Sequence, residues 1–325
     1  MKPRVLLLHT GGTLGMKGTP LEPSGYAATL LSAVPELSKI AEIESQIVAN
    51  LDSSDVGPAI WGEITRRIAT HREDFDGFVI VHGTDTMAYT ASALSFSLRG
   101  LGKPVVLTGA QRPLAALRTD ARRNLADAVE LATKDIPEVG ICFDGLLLRG
   151  CRTTKASAHD YRGFMSADCA PLARLGVDIQ LGGHIRRETL EFSPKDAFDP
   201  AVLFLHAQPG LNPEVFRRAA SVEGVKAVVL AAFGTGTLPT SVNPLAPEIK
   251  ALINSGTDVL VITTSTGKVD FGLYKNSLDL IDAGAIPGGN MRLEAALTKM
   301  MHALANFDSQ DLRRQYLVED IAGEV

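Results

Sequence analysis

Cysteine is scarce in this chain, basic clusters are missing, and no apolar run is long. Only Cys142, Cys151 and Cys169 occur in 325 residues. An odd, scattered set excludes a disulfide framework and fits a reducing compartment. With neither CxxC nor HExxH there is no metal-ligand spacing, so no metal is expected. His9, His82 and His159 are dispersed and read as structural or hydrogen-bonded histidines. Lys and Arg do not cluster beyond pairs such as Arg66-Arg67, and the net charge is −5. Neutralising phosphates needs a basic stripe, so nucleic acid is excluded as a partner. No stretch approaches the ~20 apolar residues of a membrane span. The apolar run at 5–8 stops at His9 and Thr10, short of the roughly 7–15 residues of a secretory signal core. A cytoplasmic location is therefore expected, with no membrane partner. There is no internal repeat and no low-complexity tract.

What is present is ordinary for a globular enzyme: 45% hydrophobic and 21% charged residues. The length exceeds what one core normally serves and points to two domains. Short apolar runs at 5–8, 47–51, 78–81, 105–107, 201–205, 227–231 and 259–262 suit strands buried on both faces of a parallel sheet. Helical patterns lie between them. Pro58 to Thr70 carries Ile60, Ile64 and Ile68 at helical spacing, and Thr119 stands ready to cap a helix running to Lys134. Asn212-Pro213 reads as N-cap and first turn. Leu293, Leu297, Met300, Met301 and Leu304 form one core stripe. A hairpin is expected around Phe143-Asp144-Gly145. The alternation predicts an α/β fold: a larger N-terminal domain with a mainly parallel open sheet flanked by helices, and a smaller C-terminal α/β domain. The stretch 182–200 is rich in charge and contains Pro194 and Pro200, and it reads as a linker. This gives domains at 1–181 and 201–325.

Four N-terminal strands run into polar clusters: His9-Thr10-Gly11-Gly12-Thr13, Asp52-Ser53-Ser54-Asp55, His82-Gly83-Thr84-Asp85-Thr86 and Thr108-Gly109-Ala110-Gln111-Arg112-Pro113. Ligands of open parallel sheets bind outside the carboxyl ends of the strands. If the strands are neighbours, the four clusters share one crevice. Taken singly each is weak. Gly-Gly after a strand is a tight turn or a phosphate cradle, but it matches neither GxGxxG nor GxxxxGK[ST], and no cluster is a GxSxG elbow. Asp85 is equally the cap of a helix starting near Thr86. Lys155, after Arg149-Gly150-Cys151-Arg152-Thr153-Thr154, is a proton-shuttling partner only if the fold carries it to Thr84 and Asp85; by position alone it is a surface lysine.

Thr10-Gly11-Gly12-Thr13-Leu14-Gly15 and His82-Gly83-Thr84-Asp85-Thr86-Met87 resemble the two signature motifs of bacterial-type L-asparaginases. The likeness extends to Asp52-Ser53-Ser54-Asp55, Thr108 to Pro113, Asp120-Ala121 with Asn124, and Thr154-Lys155. It continues through Phe164, Ser166, Pro171-Leu172-Ala173 and Gly234-Thr235-Gly236, covering nearly the whole chain. The lack of a signal sequence makes it more similar to the cytoplasmic type.

The resemblance implies an amidohydrolase without cofactor, acting on L-asparagine, with L-glutamine as a second candidate. Thr13 would be the nucleophile and form a β-aspartyl ester. Tyr26, on the glycine-bearing loop at 15–29, would help remove its proton. Ser53, with Asp52, Ser54 and Gly83 nearby, would hold the substrate, Ser53 taking its α-carboxylate. Asp85 would hold the α-ammonium, and Thr84, Asp85 and Lys155 would form a second proton-relaying set. A backbone N–H near Thr84 would serve the oxyanion. It also implies self-association as a homodimer or homotetramer. Two departures stand out. The family often has Gly-x-Gly-Asn where this chain has Gly234-Thr235-Gly236-Thr237. Where some members place a glutamate reaching the neighbouring site, the stretch 267–275 offers only Asp270. The other readings are the amidase component of a tRNA-dependent amidotransferase and a weakly catalytic asparagine sensor. The first normally has an extra N-terminal domain, for which a first strand near Arg4 leaves no room. The intact polar set opposes the second.

Overall fold

Apolar runs that must be dry on both faces become the interior of two sheets in the computed structural model, which describes residues 2–17, 22–23, 30–187 and 189–325, with only the backbone at 16–17 and 22–23. Its contacts divide the chain into two compact units, Met1–Asp196 and Ala197–Val325. The division falls inside the stretch 182–200. Much of that stretch lies against the first unit: the Arg186 N–H donates to Glu138 and the Lys195 N–H to the Ser97 carbonyl.

The strands of the first unit are β1 (Arg4–Gly11), β2 (Met16–Lys17), β3 (Glu22–Pro23), β4 (Glu42–Leu51), β5 (Gly77–Val81), β6 (Val105–Thr108), β7 (Val139–Phe143), β8 (Leu146–Arg149), β9 (Thr154–Lys155), β10 (Phe164–Met165), β11 (Ala173–Leu175) and β12 (Ile179–Leu181). Its helices are α1 (Leu30–Ala33), α2 (Leu37–Ile40), α3 (Pro58–Thr70), α4 (Met87–Ser97) and α5 (Ala121–Leu131). The main sheet runs β12-β11-β8-β7-β6-β5-β1-β4. It is parallel from β4 to β7 and antiparallel beyond. Apolar clusters fill both faces. Val5, Leu7, Val79 and Val81 pack on one side, and Leu6, Leu8, Phe78 and Ile80 on the other, each fully buried.

Several local expectations are corrected. β4 is the edge strand and starts earlier, at Glu42. Its side chains are half-buried, and Ile47 is 51% exposed, because among the described residues no strand pairs beyond it. α5 stops at Leu131 instead of reaching Lys134, although the Thr119 hydroxyl does accept from the Ala121 N–H at 3.0 Å. α4 starts where the sequence places a helix, next to Thr86, but its length went unread. It is buried nearly all round, so it carries no apolar–polar period. The hairpin is present: Asp144 and Gly145 both take left-handed φ, 48° and 74°, which suits a two-residue turn between β7 and β8.

The second unit repeats the logic on a smaller scale. β13 (Val202–His206), β14 (Ala227–Ala232), β15 (Asp258–Thr263) and β16 (Ile286–Pro287) form a parallel sheet in that order. Helices α6 (Pro213–Ala220), α7 (Ala246–Asn254), α8 (Lys275–Ala283), α9 (Leu293–Asn306) and α10 (Gln310–Val318) accompany it. Asn212 caps α6 as expected, accepting from the Glu214 N–H at 2.9 Å. The stripe expected on α9 is rotated. Met300 is fully buried, but so are Ala295, Ala296, Lys299 and Ala303, while Leu293, Leu297, Met301 and Leu304 lie at the margin. The cause is an ion pair: the Lys299 ammonium, fully buried, binds the equally buried Glu324 carboxylate and the Leu317 and Glu319 carbonyls. Among the described residues no helix is long and apolar enough to cross a membrane.

Candidate active site

Strand order places a switch point between β1 and β5, since the chain goes from β1 out to β4 and returns across to β5. Crevices form outside the carboxyl ends of strands at such points. Three strand ends meet there with their backbones touching. A side chain at Gly11 (φ 118°) would lie 2.1 Å from the Leu51 carbonyl oxygen. One at Gly12 (φ 94°) would lie 2.4 Å from the Gly83 nitrogen, and one at Gly83 would lie 2.6 Å from Ser53 Cβ. At Gly11 and Gly12 only glycine tolerates both the positive φ and the contact. The next residues along the chain, Thr13 and Thr84, leave adjacent points, with Ser53 against Gly83. Thr13 opens a short 3-10 turn and is half-buried.

Lys155 does reach the second motif. Its ammonium donates to Thr84 Oγ1 at 2.8 Å and binds the Asp85 carboxylate. Thr84 is buried, while Asp85 keeps 67% of its side chain exposed. Asp85 and Lys155 line a hollow of about 240 Å³ with Ala156, Ser157 and Ala158. Lys155 stands on β9, paired with Phe164 of β10. The loop beyond is held by Gln111, whose amide donates to the Ser157 and Asp160 carbonyls at 3.1 and 2.9 Å. Asp120 in turn accepts from the Gln111 and Arg112 N–H groups, and Asn124 donates to the Gly109 carbonyl at 3.0 Å. The motif residues at 108–113 and 120–124 are thus the scaffold of the crevice.

Ser53 is buried and its carbonyl accepts from the Thr86 hydroxyl at 2.5 Å. Asp52 and Ser54 are exposed and engaged with each other. The Ser54 N–H and hydroxyl both donate to Asp52 Oδ1, at 2.9 and 2.7 Å, and these bonds hold the Asp52 carboxyl below its usual range. Tyr26 lies outside the described residues.

Two buried histidines flank the crevice. The Gly11 N–H donates to His9 Nδ1 at 3.1 Å, so that nitrogen is bare and Nε2 carries the proton. His9 Nε2 is buried with no partner among the described residues, and burial lowers its pKa to about 4. His82 Nδ1 lies 2.7 Å from the Gly83 carbonyl oxygen and must donate to it. Burial lowers its pKa to about 4, with the bond to Gly83 opposing. Its Nε2 then accepts from the Thr90 hydroxyl at 2.9 Å, which itself accepts from the Trp61 indole N–H at 3.0 Å. Trp61 and Thr90 carried no signal in the sequence, where each is one more residue of a helix.

In the second unit both departing stretches border one hollow of about 580 Å³, lined by Gly234, Thr235, Thr237, Tyr274, Lys275 and Asn276. The Asp270 N–H donates to the Thr235 carbonyl at 2.9 Å, and the Asp270 carboxylate accepts from the Gly272 N–H at 3.0 Å. Among the described residues no group of three or more His, Cys, Asp or Glu is arranged to hold a metal.

Residues 4–186 match the family model for Asparaginase, N-terminal, and residues 201–317 that for the Glutaminase/Asparaginase C-terminal domain. L-asparaginase 1 of Escherichia coli strain K12 is 36% identical over 340 residues, covering 100% of this chain and 98% of that one. The thermostable L-asparaginase from Thermococcus kodakarensis has the same fold, with a TM-score of 0.91, 33% identity and 99% of each chain covered. A component of the glutamyl-tRNA(Gln) amidotransferase of Pyrococcus abyssi is 31% identical, covering 99% of this chain and 77% of that one.

Proposed function

The chain belongs to the asparaginase family on both of its halves, and from that premise we propose that it hydrolyses the side-chain amide of L-asparagine through an acyl-enzyme on Thr13. The Thr13 oxygen attacks the amide carbon while its proton passes through the Tyr26 hydroxyl to the departing nitrogen. The C–N bond breaks, ammonia leaves with a proton, and a β-aspartyl ester remains. Water then cleaves the ester and restores Thr13. Ser53 receives the α-carboxylate with help from the Asp52–Ser54 turn and Gly83, and Asp85 receives the α-ammonium. Thr84 and Lys155 relay the proton and orient water. Nucleophile, base and donors all come from the chain, so the reaction asks for no cofactor.

The observation that carries the reading is the Lys155–Thr84–Asp85 cluster set beside the Gly12–Gly83 contact. Residues 70 positions apart in sequence meet at the end of the strand next to the one that delivers Thr13. The three free cysteines support a reducing, cytoplasmic location. The test is ammonia release from asparagine and glutamine in parallel, with Thr13→Ala losing on the order of 10³-fold or more in turnover. Thr13→Ser, which keeps the hydroxyl, should retain part of it. An alanine variant with wild-type rates refutes the nucleophile.

A further inference from the structure

We infer that Trp61 and Thr90 are positioning residues, which through His82 aim the Thr84 backbone N–H into the crevice. The inference rests on the amide-hydrolysis reading above, in which that N–H stabilises the oxyanion. Its basis is a chain of three hydrogen bonds in a dry setting. The Trp61 indole donates to Thr90 Oγ1 at 3.0 Å, the Thr90 hydroxyl donates to His82 Nε2 at 2.9 Å, and His82 Nδ1 donates to the Gly83 carbonyl at 2.7 Å. All three side chains are at least 96% buried.

The final link fixes a direction. The Gly83 carbonyl and the Thr84 N–H belong to one planar peptide unit and point in opposite senses. Pulling the carbonyl back onto the imidazole therefore turns the N–H away from it. Among the described residues that N–H meets no backbone acceptor. Direction along the relay is unambiguous. The carbonyl only accepts, so Nδ1 holds the proton. The indole only donates, which leaves the Thr90 hydroxyl proton for Nε2. Burial keeps the ring neutral, so one tautomer is selected at every pH of interest. The relay ties α3 and α4, which pack on the sheet, to the loop that carries Thr84. Preorganised donors of this kind act because they need not reorient when charge develops.

Thr90→Val keeps the shape and removes the hydroxyl. It should lower kcat about 10- to 100-fold with KM nearly unchanged, less than the loss of the donor itself. Thr90→Ser should restore most of kcat, and Trp61→Phe should fall between. A uniform structural defect would instead move KM and thermal stability together and would not be rescued by serine. The second readout does not depend on turnover: nitrogen NMR of the unliganded, histidine-labelled protein. His82 should appear as the Nδ1–H tautomer and lose that preference in Thr90→Val. Folded Thr90→Val with wild-type kcat, or His82 protonated on Nε2 in the wild type, overturns the inference. Wild-type protein that releases no ammonia overturns the amidohydrolase reading instead, and the tautomer measurement then still decides whether the relay exists.

Discussion

His9 and His82 sit at the ends of adjacent strands, and each does its work only when neutral. His9 must keep Nδ1 bare to accept the Gly11 N–H, and His82 must keep Nε2 bare to accept from Thr90. Both have pKa values lowered to about 4 by burial, against roughly 6.5 in an unfolded chain. The sign follows from proton uptake. Below pH 6.5 the unfolded state binds protons that the folded state refuses, so acid favours unfolding. Stability is intact above pH 6.5, erodes between 6.5 and about 4, and loses nothing more from these groups below that. By pH 5 the loss is on the order of 2 kcal/mol per histidine. Urea midpoints at pH 7.5, 6 and 5 measure it. His9→Phe removes one of the two contributions and should flatten the slope by about half. A midpoint unchanged down to pH 5 in the wild type would show that the rings are solvated.

The strand ends, more than any single side chain, make the site. Gly11, Gly12 and Gly83 let the ends of β1, β4 and β5 touch, and each contact is with backbone or a short side chain that has no room to yield. Gly83→Ala is the sharpest test, because its Cβ would lie 2.6 Å from Ser53 Cβ and 2.8 Å from Ser53 Oγ. It should cost at least 100-fold in kcat/KM, the scale expected when reacting groups shift by about 1 Å, while Gly57→Ala, with open space around it, stays near wild type in activity. Equal activity of the two variants would sever the link between packing and catalysis. This level of the design was largely legible in the sequence. The runs before Thr13, Thr84 and Thr108 are apolar on both faces, as interior parallel strands must be, and each ends abruptly in polar residues. What stayed hidden had no local signature. The helix start near Thr86 was legible, but the extent of α4 was not, because it is buried nearly all round and so lacks a period. The exposure of β4 depends on its being at the edge, which sequence order does not reveal. The stripe on α9 was misplaced because Lys299, a charged residue, is fully buried through pairing with Glu324 far along the chain. Lys155 looked like a surface lysine until the fold set it against Thr84.

On the scale of the whole molecule, the second unit carries more apolar surface than it needs for its own core. α8 buries Ser277, Leu280 and Ala283 against its unit, yet Tyr274, Leu278 and Ile281, at spacings of four and three along the opposite face, are 55%, 46% and 51% exposed. Leu273 beside them is 57% exposed. A helix with apolar residues on both faces is made to be covered twice, and contiguous exposed patches mark interaction surfaces. The same segment begins at Tyr274, Lys275 and Asn276, which line the hollow beside Thr235 and Thr237. A second copy of the chain is the natural cover, since most soluble oligomers are symmetric assemblies of one chain. The expected state is a homodimer or a dimer of dimers, with the C-terminal unit of one copy near the crevice of another. Sedimentation velocity at assay concentration should show no monomer. Leu278→Glu combined with Ile281→Lys should shift the boundary toward monomer while the circular dichroism of the unit is unchanged, because neither side chain contributes to the unit's buried core. If the partner completes the site, asparagine turnover should fall in step with the monomer fraction and recover as protein concentration is raised. A wild-type monomer with full activity would refute the assembly. A dimer unaffected by the two substitutions would move the interface away from α8.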